Sequence, residues 1–403
     1  MTRQVLVNAT AVLPDRVLPD ATVVAEDGLI VEVTDRATAP VSGIDVRGAL
    51  VLPGLVDTHS DGLERELRPR PGAEVHPDFA VASYEGRVRA AGLTTMFHGI
   101  GYQNDGRKER NLKQARVLET ALGSRAATAD ALVDHRLLLR LDARDPMALA
   151  ALRLAVERLY DPAGPLPLVS FEDHTPGQGQ YADAEYFRLA MRDGNGLSEA
   201  EATARFDALV EDRESRKHHR EAAMRWLSGQ ALAGRIRLLA HDPVNAEEIA
   251  RASAQGVAVA EFPTTLEAAA AAKEHGLPVV AGAPNVLRGR SHSGNVSATE
   301  LIGAGLVDAL ASDYMPSTLL AAVLSLADQG VVGLPRAVRL VTAGAAAVVG
   351  LSDRGALVPG LRSDLTVVTV AGGWPTVRLV LLADEQRADS PQPQLIHATA
   401  GAR

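Results

Sequence analysis

The chain has 403 residues, of which 46% are hydrophobic, and its formal net charge is −9. That length suits one large domain with a small companion, and the acidic balance excludes a nucleic-acid binder, which needs basic side chains to neutralise phosphates. A local basic pocket for a phosphorylated small molecule stays compatible with an acidic protein. Because the chain has no cysteine, disulfides and thiolate metal sites are excluded, and any metal must be held by His, Asp or Glu.

Neither a signal peptide nor a membrane span is expected. The N-terminus lacks the long apolar core of a signal peptide. Gly, Pro or charged residues interrupt the apolar runs before they reach the roughly 18 residues that a membrane span needs. We therefore expect a cytoplasmic protein that interacts with neither membranes nor nucleic acid, with a homodimer as the default assembly.

Both ends of the chain have the composition of short strands. Val, Leu and Thr are frequent at residues 4–12, 21–25 and 29–33 and again at 364–370 and 377–382. Turn-forming residues such as Pro14 and Gly28 separate the first three strands. Two β-rich ends that flank an α/β middle predict one small β-sandwich, assembled from residues 1–53 and 357–403.

The middle of the chain, residues 54–356, alternates apolar strands with alanine-rich amphipathic helices. Eight strands are predicted, at residues 54–59, 94–98, 137–142, 168–173, 236–241, 257–262, 278–283 and 309–313. Near-continuous apolar strands separated by helices, such as 246–255 and 265–275, indicate a parallel sheet covered on both faces. Eight such units predict a closed (β/α)₈ TIM-like barrel, with an open doubly wound sheet as the alternative.

One connection, residues 180–230, is longer than a single strand-to-helix crossover needs. Two helices are predicted in it, at 198–212 and 215–227. Basic and imidazole side chains cluster near the start of the second helix: Arg213, Arg216, Lys217, His218, His219 and Arg220. This cluster is interpreted either as a solvated helix face or as a lid or basic wall over the active site.

Polar side chains follow almost every predicted barrel strand. The carboxyl ends of the strands converge on one face of such a barrel, where imidazoles and carboxylates would repel one another or stay unpaired without a cation. The predicted ligands of one or two divalent metal ions are His59, Asp61, Asp142, His174 and His241. Zinc is the first choice, with manganese, iron and nickel as alternatives for His and carboxylate ligands.

The roles of individual strand-end residues differ. His59 and Asp61 are two positions apart and can point the same way into the barrel mouth. Asp142 either bridges two metals or pairs with Arg140 or Arg144. No lysine ends a strand, so a carbamylated lysine is not available as the bridge. Glu172, Asp173 and Glu261 are either ligands or groups that orient the histidines. Asp313 is the expected general base for the attacking water.

The remaining histidines are expected to serve other purposes. His98 closes the second strand and is either packed in the core or part of the pocket wall. We expect surface positions for the histidines in loops, helices and tails: His76, His135, His218, His219, His275 and His397.

The segment after strand seven, residues 283–295, is rich in hydrogen-bond donors. Its predicted phosphate-binding side chains are Arg288, Arg290, Ser291, His292 and Asn295. Glycines there let backbone N–H groups approach a ligand, and the loop after strand seven is a common phosphate site in these barrels. A flexible surface loop is the alternative interpretation. Arg68 and Arg70, just beyond the strand-one ligands, are further candidates for substrate binding.

Several motifs resemble a known family. Residues 52–59, LPGLVDTH, resemble the strand-one signature of the amidohydrolase superfamily, and residues 355–365 resemble its return to the small β-sandwich. More specific stretches are similar to the PhnM family of phosphonate metabolism. They are residues 59–72, 173–178, 261–265, 291–297 and 312–314.

The resemblance implies a concrete activity. Members of that family hydrolyse α-D-ribose 1-methylphosphonate 5-triphosphate to the 5-phosphate and diphosphate, and they carry His-x-Asp, as His59 and Asp61 do here. Asp142 stands where the resemblance leads us to expect a glutamate, and the shorter side chain changes the metal spacing. The alternative enzyme is a C–N hydrolase on the same barrel: an N-acyl deacetylase, a cyclic amidase or a deaminase. The alternative outside enzymes is a barrel that binds a phosphorylated ligand without turnover.

Overall fold

The computed structural model describes residues 2–35, 42–70, 72–104, 110–181, 183–291 and 294–386. Its strands are β1 (Arg3–Val12), β2 (Val17–Glu26), β3 (Leu29–Thr34), β4 (Ile44–Asp45), β5 (Leu50–Pro53), β6 (Leu55–Ser60), β7 (Leu93–Tyr102), β8 (Asp134–Asp142), β9 (Leu168–Glu172), β10 (Arg237–His241), β11 (Val257–Glu261), β12 (Val279–Gly282), β13 (Ala309–Ala311), β14 (Leu365–Ala371) and β15 (Trp374–Leu381).

Helices follow most of the strands. They are α1 (Gly62–Leu67), α2 (Pro77–Ala90), α3 (Leu112–Ala126), α4 (Ala148–Leu159), α5 (Ala184–Asn195), α6 (Glu199–Ser215), α7 (Lys217–Leu232), α8 (Ala246–Ala254), α9 (Leu266–Glu274), α10 (Ala283–Arg288), α11 (Ala298–Gly303), α12 (Thr318–Asp328), α13 (Leu334–Arg339) and α14 (Ala343–Val348). Short 3₁₀ turns lie at Gly179–Tyr181 and Asp384–Gln386. None of the helices in the described ranges has the length and apolar character that crossing a membrane requires.

Strands β6 to β13 form the predicted barrel. Each pairs in parallel with the next along the chain, from β6 to β13. The first and last strands meet through a parallel bridge between Ser60 and Asp313, and the Asp313 backbone nitrogen donates to the His59 carbonyl at 3.0 Å. The eight predicted strands and the (β/α)₈ fold class are therefore confirmed. Only β7 is much longer than its predicted residues, because it runs on to Tyr102.

The chain ends build one separate sheet, as their composition predicted. Its order is β15-β14-β5-β1-β2-β3, with β4 paired to β1. Pairing of β14 with β5 joins the C-terminal strands to the N-terminal ones. Gly54 then turns the chain directly from β5 into β6. It has no room for a side chain, since a Cβ there would lie 2.2 Å from Thr94 Oγ1.

The long connection between β9 and β10 folds into three helices, α5 to α7, which are called the insertion below. The two predicted helices are present as α6 and α7, and α5 precedes them. A capping box at Ser198 and Glu201 begins α6, and Gly196 ends α5 in the left-handed conformation.

Candidate active site

Imidazole and carboxylate groups gather at the carboxyl ends of the barrel strands. Three sets of ligand atoms each lie within 4.8 Å of one another: His59, His241 and Glu261; Glu172, His174 and His241; and His59, Asp61 and Asp313. Because the sets share His59 and His241, they form one continuous cluster. Parallel strands in a barrel end on the same face, which explains why residues so far apart in sequence meet here.

Glu261 holds two of the histidines in a defined orientation. Its carboxylate bonds His59 Nδ1 at 2.8 Å and His241 Nδ1 at 2.7 Å, and it accepts from Ser170 Oγ at 2.8 Å. Burial alone would lower the pKa of His59, but the Glu261 charge raises it to about 10. Because Glu261 takes the Nδ1 side of both rings, each presents Nε2 for a ligand, as in carboxylate–histidine–metal arrangements.

One buried guanidinium joins the Asp61 and Glu172 carboxylates. Arg140 donates to Asp61 and, at 2.5 Å, to Glu172. Burial alone would raise the pKa of Asp61 and of Glu172, but the Arg140 charge holds both well below the usual range. Among the described residues, no hydrogen-bond partner reaches Asp61 Oδ1 or Glu172 Oε1, although both oxygens are buried. Buried, ionised oxygens of this kind, beside the Nε2 atoms of His59 and His241, fit a divalent cation.

The backbone is strained directly after three barrel strands. Asp242, Phe262 and Asp313 have φ values of 53°, 53° and 57°, in the left-handed region that residues other than glycine rarely adopt. The Phe262 ring lies 5.2 Å from the His59 ring and 5.5 Å from the His241 ring, so it forms an apolar side of the cluster. Such strain concentrates at functional sites, where surrounding contacts hold it in place.

Asp313 lies beside Asp61 and His59. Its carbonyl accepts from the Asp61 backbone nitrogen, and its carboxylate belongs to the same ligand set as these two residues. Burial and the charge of Asp61 raise the pKa of Asp313. A carboxylate with a raised pKa that faces the ligand atoms is placed to accept a proton from an attacking water.

A cavity of about 520 Å³ lies against the cluster. The predicted site residues that line it are His59, Asp61, His174, His241, Arg288, Ser291, Asn295 and Asp313. The described residues that line it do not include four other predicted site residues: Arg68, Arg70, Asp142 and Arg290. His292 lies outside the described residues.

Asp142 pairs with an arginine side chain other than Arg140 and Arg144, the two that the sequence suggested beside a bridging role. Arg213 of α6 donates to its two oxygens at 2.7 and 2.9 Å, and the Arg144 backbone nitrogen donates to it at 3.0 Å. Glu172 is its register partner on the adjacent strand, and it is Glu172 that joins the ligand sets. The strand pattern could not separate the two, because both are acidic residues at the last position of neighbouring strands.

Arg65 and Tyr314 are among the cavity residues that were not singled out from the sequence. The Arg65 guanidinium lies 4.7 Å from the centre of the Tyr314 ring, and Arg288 Nη1 donates to the Tyr314 hydroxyl at 2.8 Å. Arg68 instead bonds Gln114 Oε1 at 2.5 Å, and Arg70 is exposed. Arg65 could have been predicted from its spacing, because it lies four positions after Asp61, about one turn of α1, and residues four apart share one face of a helix.

Among the histidines that the structure describes, the surface position expected for His135 was wrong; His397 lies outside the described residues. His135 is buried with a relative exposure of 8%, and its ring bonds His98 Nε2 at 2.8 Å and Glu85 at 2.9 Å. The residue lies on β8 rather than in a loop, because that strand begins three residues earlier than predicted. His98 belongs to this buried network and does not line the cavity.

The barrel with its small terminal sheet is an architecture found in hydrolases of the amidohydrolase superfamily. Solved structures of this architecture match nearly all of the chain. Molinate hydrolase matches with a TM-score of 0.58 and 14% identity over 100% of this chain and 99% of its own. N-acetylglucosamine-6-phosphate deacetylase from Pasteurella multocida matches with a TM-score of 0.58 and 10% identity, over 94% of this chain and 98% of its own. Enamidase, described as a member of the amidohydrolase superfamily, matches with a TM-score of 0.55 and 16% identity, over 98% of this chain and 99% of its own.

Sequence comparison identifies the family. The α-D-ribose 1-methylphosphonate 5-triphosphate diphosphatase of Escherichia coli strain K12 is 35% identical over 337 residues, which cover 80% of this chain and 84% of the relative. No family model matches the chain. The chain belongs to the family of this diphosphatase, the PhnM family, as its motifs indicated.

Proposed function

We propose that the protein hydrolyses α-D-ribose 1-methylphosphonate 5-triphosphate and releases diphosphate, leaving the 5-phosphate. The observation that carries the proposal is that one cavity combines the histidine–carboxylate cluster with the guanidinium groups of Arg65 and Arg288. The cluster suits a divalent cation, and guanidinium groups suit phosphate oxygens. The name of the Escherichia coli relative describes this activity. A polyphosphate is the substrate class that would use both features.

The proposed ligands of one or two divalent cations are two of the sets: His59, Asp61 and Asp313; and Glu172, His174 and His241. In this proposal Glu172 takes the place among the ligands that the sequence gave to Asp142, whose two oxygens face Arg213. Zinc is the first choice, with manganese, iron or nickel as alternatives. When bound, such a cation supplies Lewis-acid chemistry and lowers the pKa of water.

The residues of the chain have separate proposed roles in the reaction. Asp313 accepts the proton of the attacking water, because its carboxylate lies in the ligand set beside His59 and Asp61. Arg140 pairs with Asp61 and Glu172 and adds a fixed positive charge at the cavity wall. The charge that develops on the phosphate oxygens is offset by guanidinium groups.

The phosphate oxygens are proposed to bind at the side of the cavity that is lined by α1 and by the segment after β12. The donors proposed for them are Arg65, Arg288, Ser291 and Asn295. Asn285 supports this segment, since its side chain bonds the Val296 carbonyl at 3.3 Å and the Ala298 nitrogen at 3.1 Å. The loop is thereby tied at both sides of its donor residues.

A product-release experiment tests the proposal. Metal-loaded protein is offered the ribose triphosphate beside a panel of N-acyl and cyclic amide compounds, and diphosphate, phosphate and amine are measured. We expect diphosphate release that a chelator abolishes and added metal restores. We also expect Asp313→Asn, reloaded with excess metal and with its metal content measured, to lower turnover by about 100-fold or more. Release of amine without release of diphosphate or phosphate would contradict the proposed substrate. Undiminished turnover of Asp313→Asn would contradict the role of Asp313.

A further inference from the structure

We propose that Arg213, on helix α6 of the insertion, is a positioning residue that orients His174 for cation binding. The inference rests on the proposed function in one respect, that His174 is a cation ligand. It gives the insertion a defined role, which the sequence left open between a solvated face and a wall of the site. The observation behind it is a buried network of ion pairs that links the insertion to the ends of β8 and β9.

One guanidinium contacts both sequence neighbours of His174. Arg213 Nη2 donates to Asp173 Oδ1 at 3.2 Å, and Arg213 Nε donates to Thr175 Oγ1 at 3.1 Å. The same group donates to the two oxygens of Asp142 at 2.7 and 2.9 Å. The residue is only 8% exposed, so water does not replace these bonds. Arg213 therefore holds the backbone on either side of His174 against the end of β8.

A second arginine completes the network from the barrel side. Arg144 is 1% exposed and donates to Asp173 Oδ2 at 2.7 Å. It also donates to the Arg213 carbonyl at 2.9 Å and to the Glu214 carboxylate at 2.7 Å. The largely buried Asp142 carboxylate thus pairs with Arg213, and the largely buried Asp173 carboxylate pairs with Arg213, with Arg144 and, at 3.2 Å, with Arg220. Removing one member leaves an uncompensated buried charge, which the surrounding chain must move to solvate.

His174 depends on such support more than the other histidines do. His59 and His241 lie inside strands, whereas His174 follows the end of β9 in a loop. Its Nε2 atom lies 3.6 Å from Glu172 Oε2, and its ring packs edge-on against Tyr181 with 5.8 Å between ring centres. The Thr175 backbone nitrogen donates to Asp173 Oδ1 at 3.2 Å, so the bonds of Arg213 to Asp173 and Thr175 fix the turn that carries His174 at the cavity.

The insertion also offers a matched control. Arg216 lies three positions after Arg213 and pairs with Asp212 at 2.6 Å, but the two side chains are 36% and 47% exposed. Exposed pairs of this kind contribute little to stability or to the orientation of other groups. Arg216→Met therefore removes the same kind of side chain from the same part of the insertion without touching the buried network.

The experiment measures the affinity for zinc and cobalt(II) by competition with a chelator, together with Tm and the rate of proteolysis within the insertion. For Arg213→Met we expect cation affinity to fall about 10- to 100-fold, as for other groups that orient metal ligands. Arg213→Lys is expected to recover part of the loss, because lysine keeps the charge but not the planar fork. Arg216→Met is expected to stay within about twofold of the unaltered protein.

Unchanged cation affinity in folded Arg213→Met would overturn the inference, even if its insertion were cut faster. If Arg213→Met does not fold, Thr175→Val decides, because it removes the hydroxyl that accepts from Arg213 Nε and leaves the ion pairs of Arg213 with Asp142 and Asp173 in place. A several-fold loss of cation affinity in Thr175→Val supports the inference, and unchanged affinity overturns it. An unaltered protein that binds neither cation contradicts the proposed function instead, so the two failures are distinguishable.

Discussion

The carboxylate of Asp57, on the first barrel strand, accepts a hydrogen bond from the backbone nitrogen of Ser312 at 3.0 Å, directly after the last strand. The Ser312 hydroxyl donates to the other oxygen of the same carboxylate. Asp57 has no exposed surface, and burial raises its pKa to about 6. These bonds close the barrel at its mouth and place Asp313, the next residue, beside His59.

The contacts of Asp57 predict a stability difference between two serine variants. Ser312→Ala removes a donor from a fully buried carboxylate, and we expect it to lower the free energy of unfolding by about 1–3 kcal/mol. Ser325→Ala, whose hydroxyl accepts from the exposed side chain of Gln329, is expected to change it by less than about 0.5 kcal/mol. Chemical denaturation measures both. Equal effects of the two variants would show that the Asp57 bonds do not support barrel closure.

The close approach of the Asp61 carboxylate to Gly99 predicts that a side chain at position 99 would weaken cation binding. A Cβ at Gly99 would lie 2.5 Å from Asp61 Oδ1 and 3.0 Å from Arg140 Cδ. Gly99→Ala should therefore displace the oxygen that has no hydrogen-bond partner and weaken cation affinity by about 10-fold or more. Gly123→Ala, in α3, meets no atom within 4 Å and serves as the control. Metal content after dialysis is the measurement, and full retention by Gly99→Ala would contradict the assignment of Asp61.

The arginines near the cavity predict a difference in substrate affinity. A charge-assisted bond to phosphate contributes about 1.5–3 kcal/mol, so Arg65→Met and Arg288→Met should each raise KM for the triphosphate about 10- to 100-fold. Arg290→Met is the informative comparison, because the sequence suggested Arg290 and it does not line the cavity among the described residues. We expect its KM to stay within about threefold. A larger effect at Arg290 than at Arg65 would favour the assignment made from the sequence.

The buried histidine network predicts a pH dependence of stability that is separate from catalysis. Burial and the neighbouring His135 hold the pKa of His98 well below its usual 6.5. Below pH 6.5 the unfolded chain therefore binds a proton that the folded chain excludes, so His98 lowers stability as the pH falls and has no such effect above pH 7. One proton corresponds to about 1.4 kcal/mol per pH unit.

His98→Gln tests this prediction. In the variant, the slope of the unfolding free energy against pH between pH 5 and 6.5 should decrease by the amount that corresponds to about one proton. Urea denaturation at several pH values measures this slope. His275→Gln, at an exposed position, is the control and should keep the full dependence. An unchanged slope in His98→Gln would mean that this histidine is protonated in the folded protein.

Side-chain partners show where sequence reasoning stops. Glu172 and Asp142 end adjacent strands, and nothing local distinguishes them, yet one faces the cluster and the other faces Arg213, 71 positions away. Arg65 and Arg68 are three positions apart on or next to α1, and their different contacts depend on what lies across the cavity. His135 was assigned to the surface because a strand boundary was misplaced by three residues.

The sequence by itself determined the eight barrel strands, the barrel and the two helices α6 and α7, because apolar periodicity records which side chains each segment must bury. The His-x-Asp that follows the first barrel strand was also evident from the sequence. It also determined that any metal is held by histidine and carboxylate, because the chain has no cysteine. Only the tertiary structure decided which carboxylates meet, that Glu261 orients two histidines, and that the insertion pairs with Asp142. Those relationships depend on distances between segments that are far apart in the chain. The physical reason is that the interaction between two charges depends on their separation in space and not on their separation in the sequence.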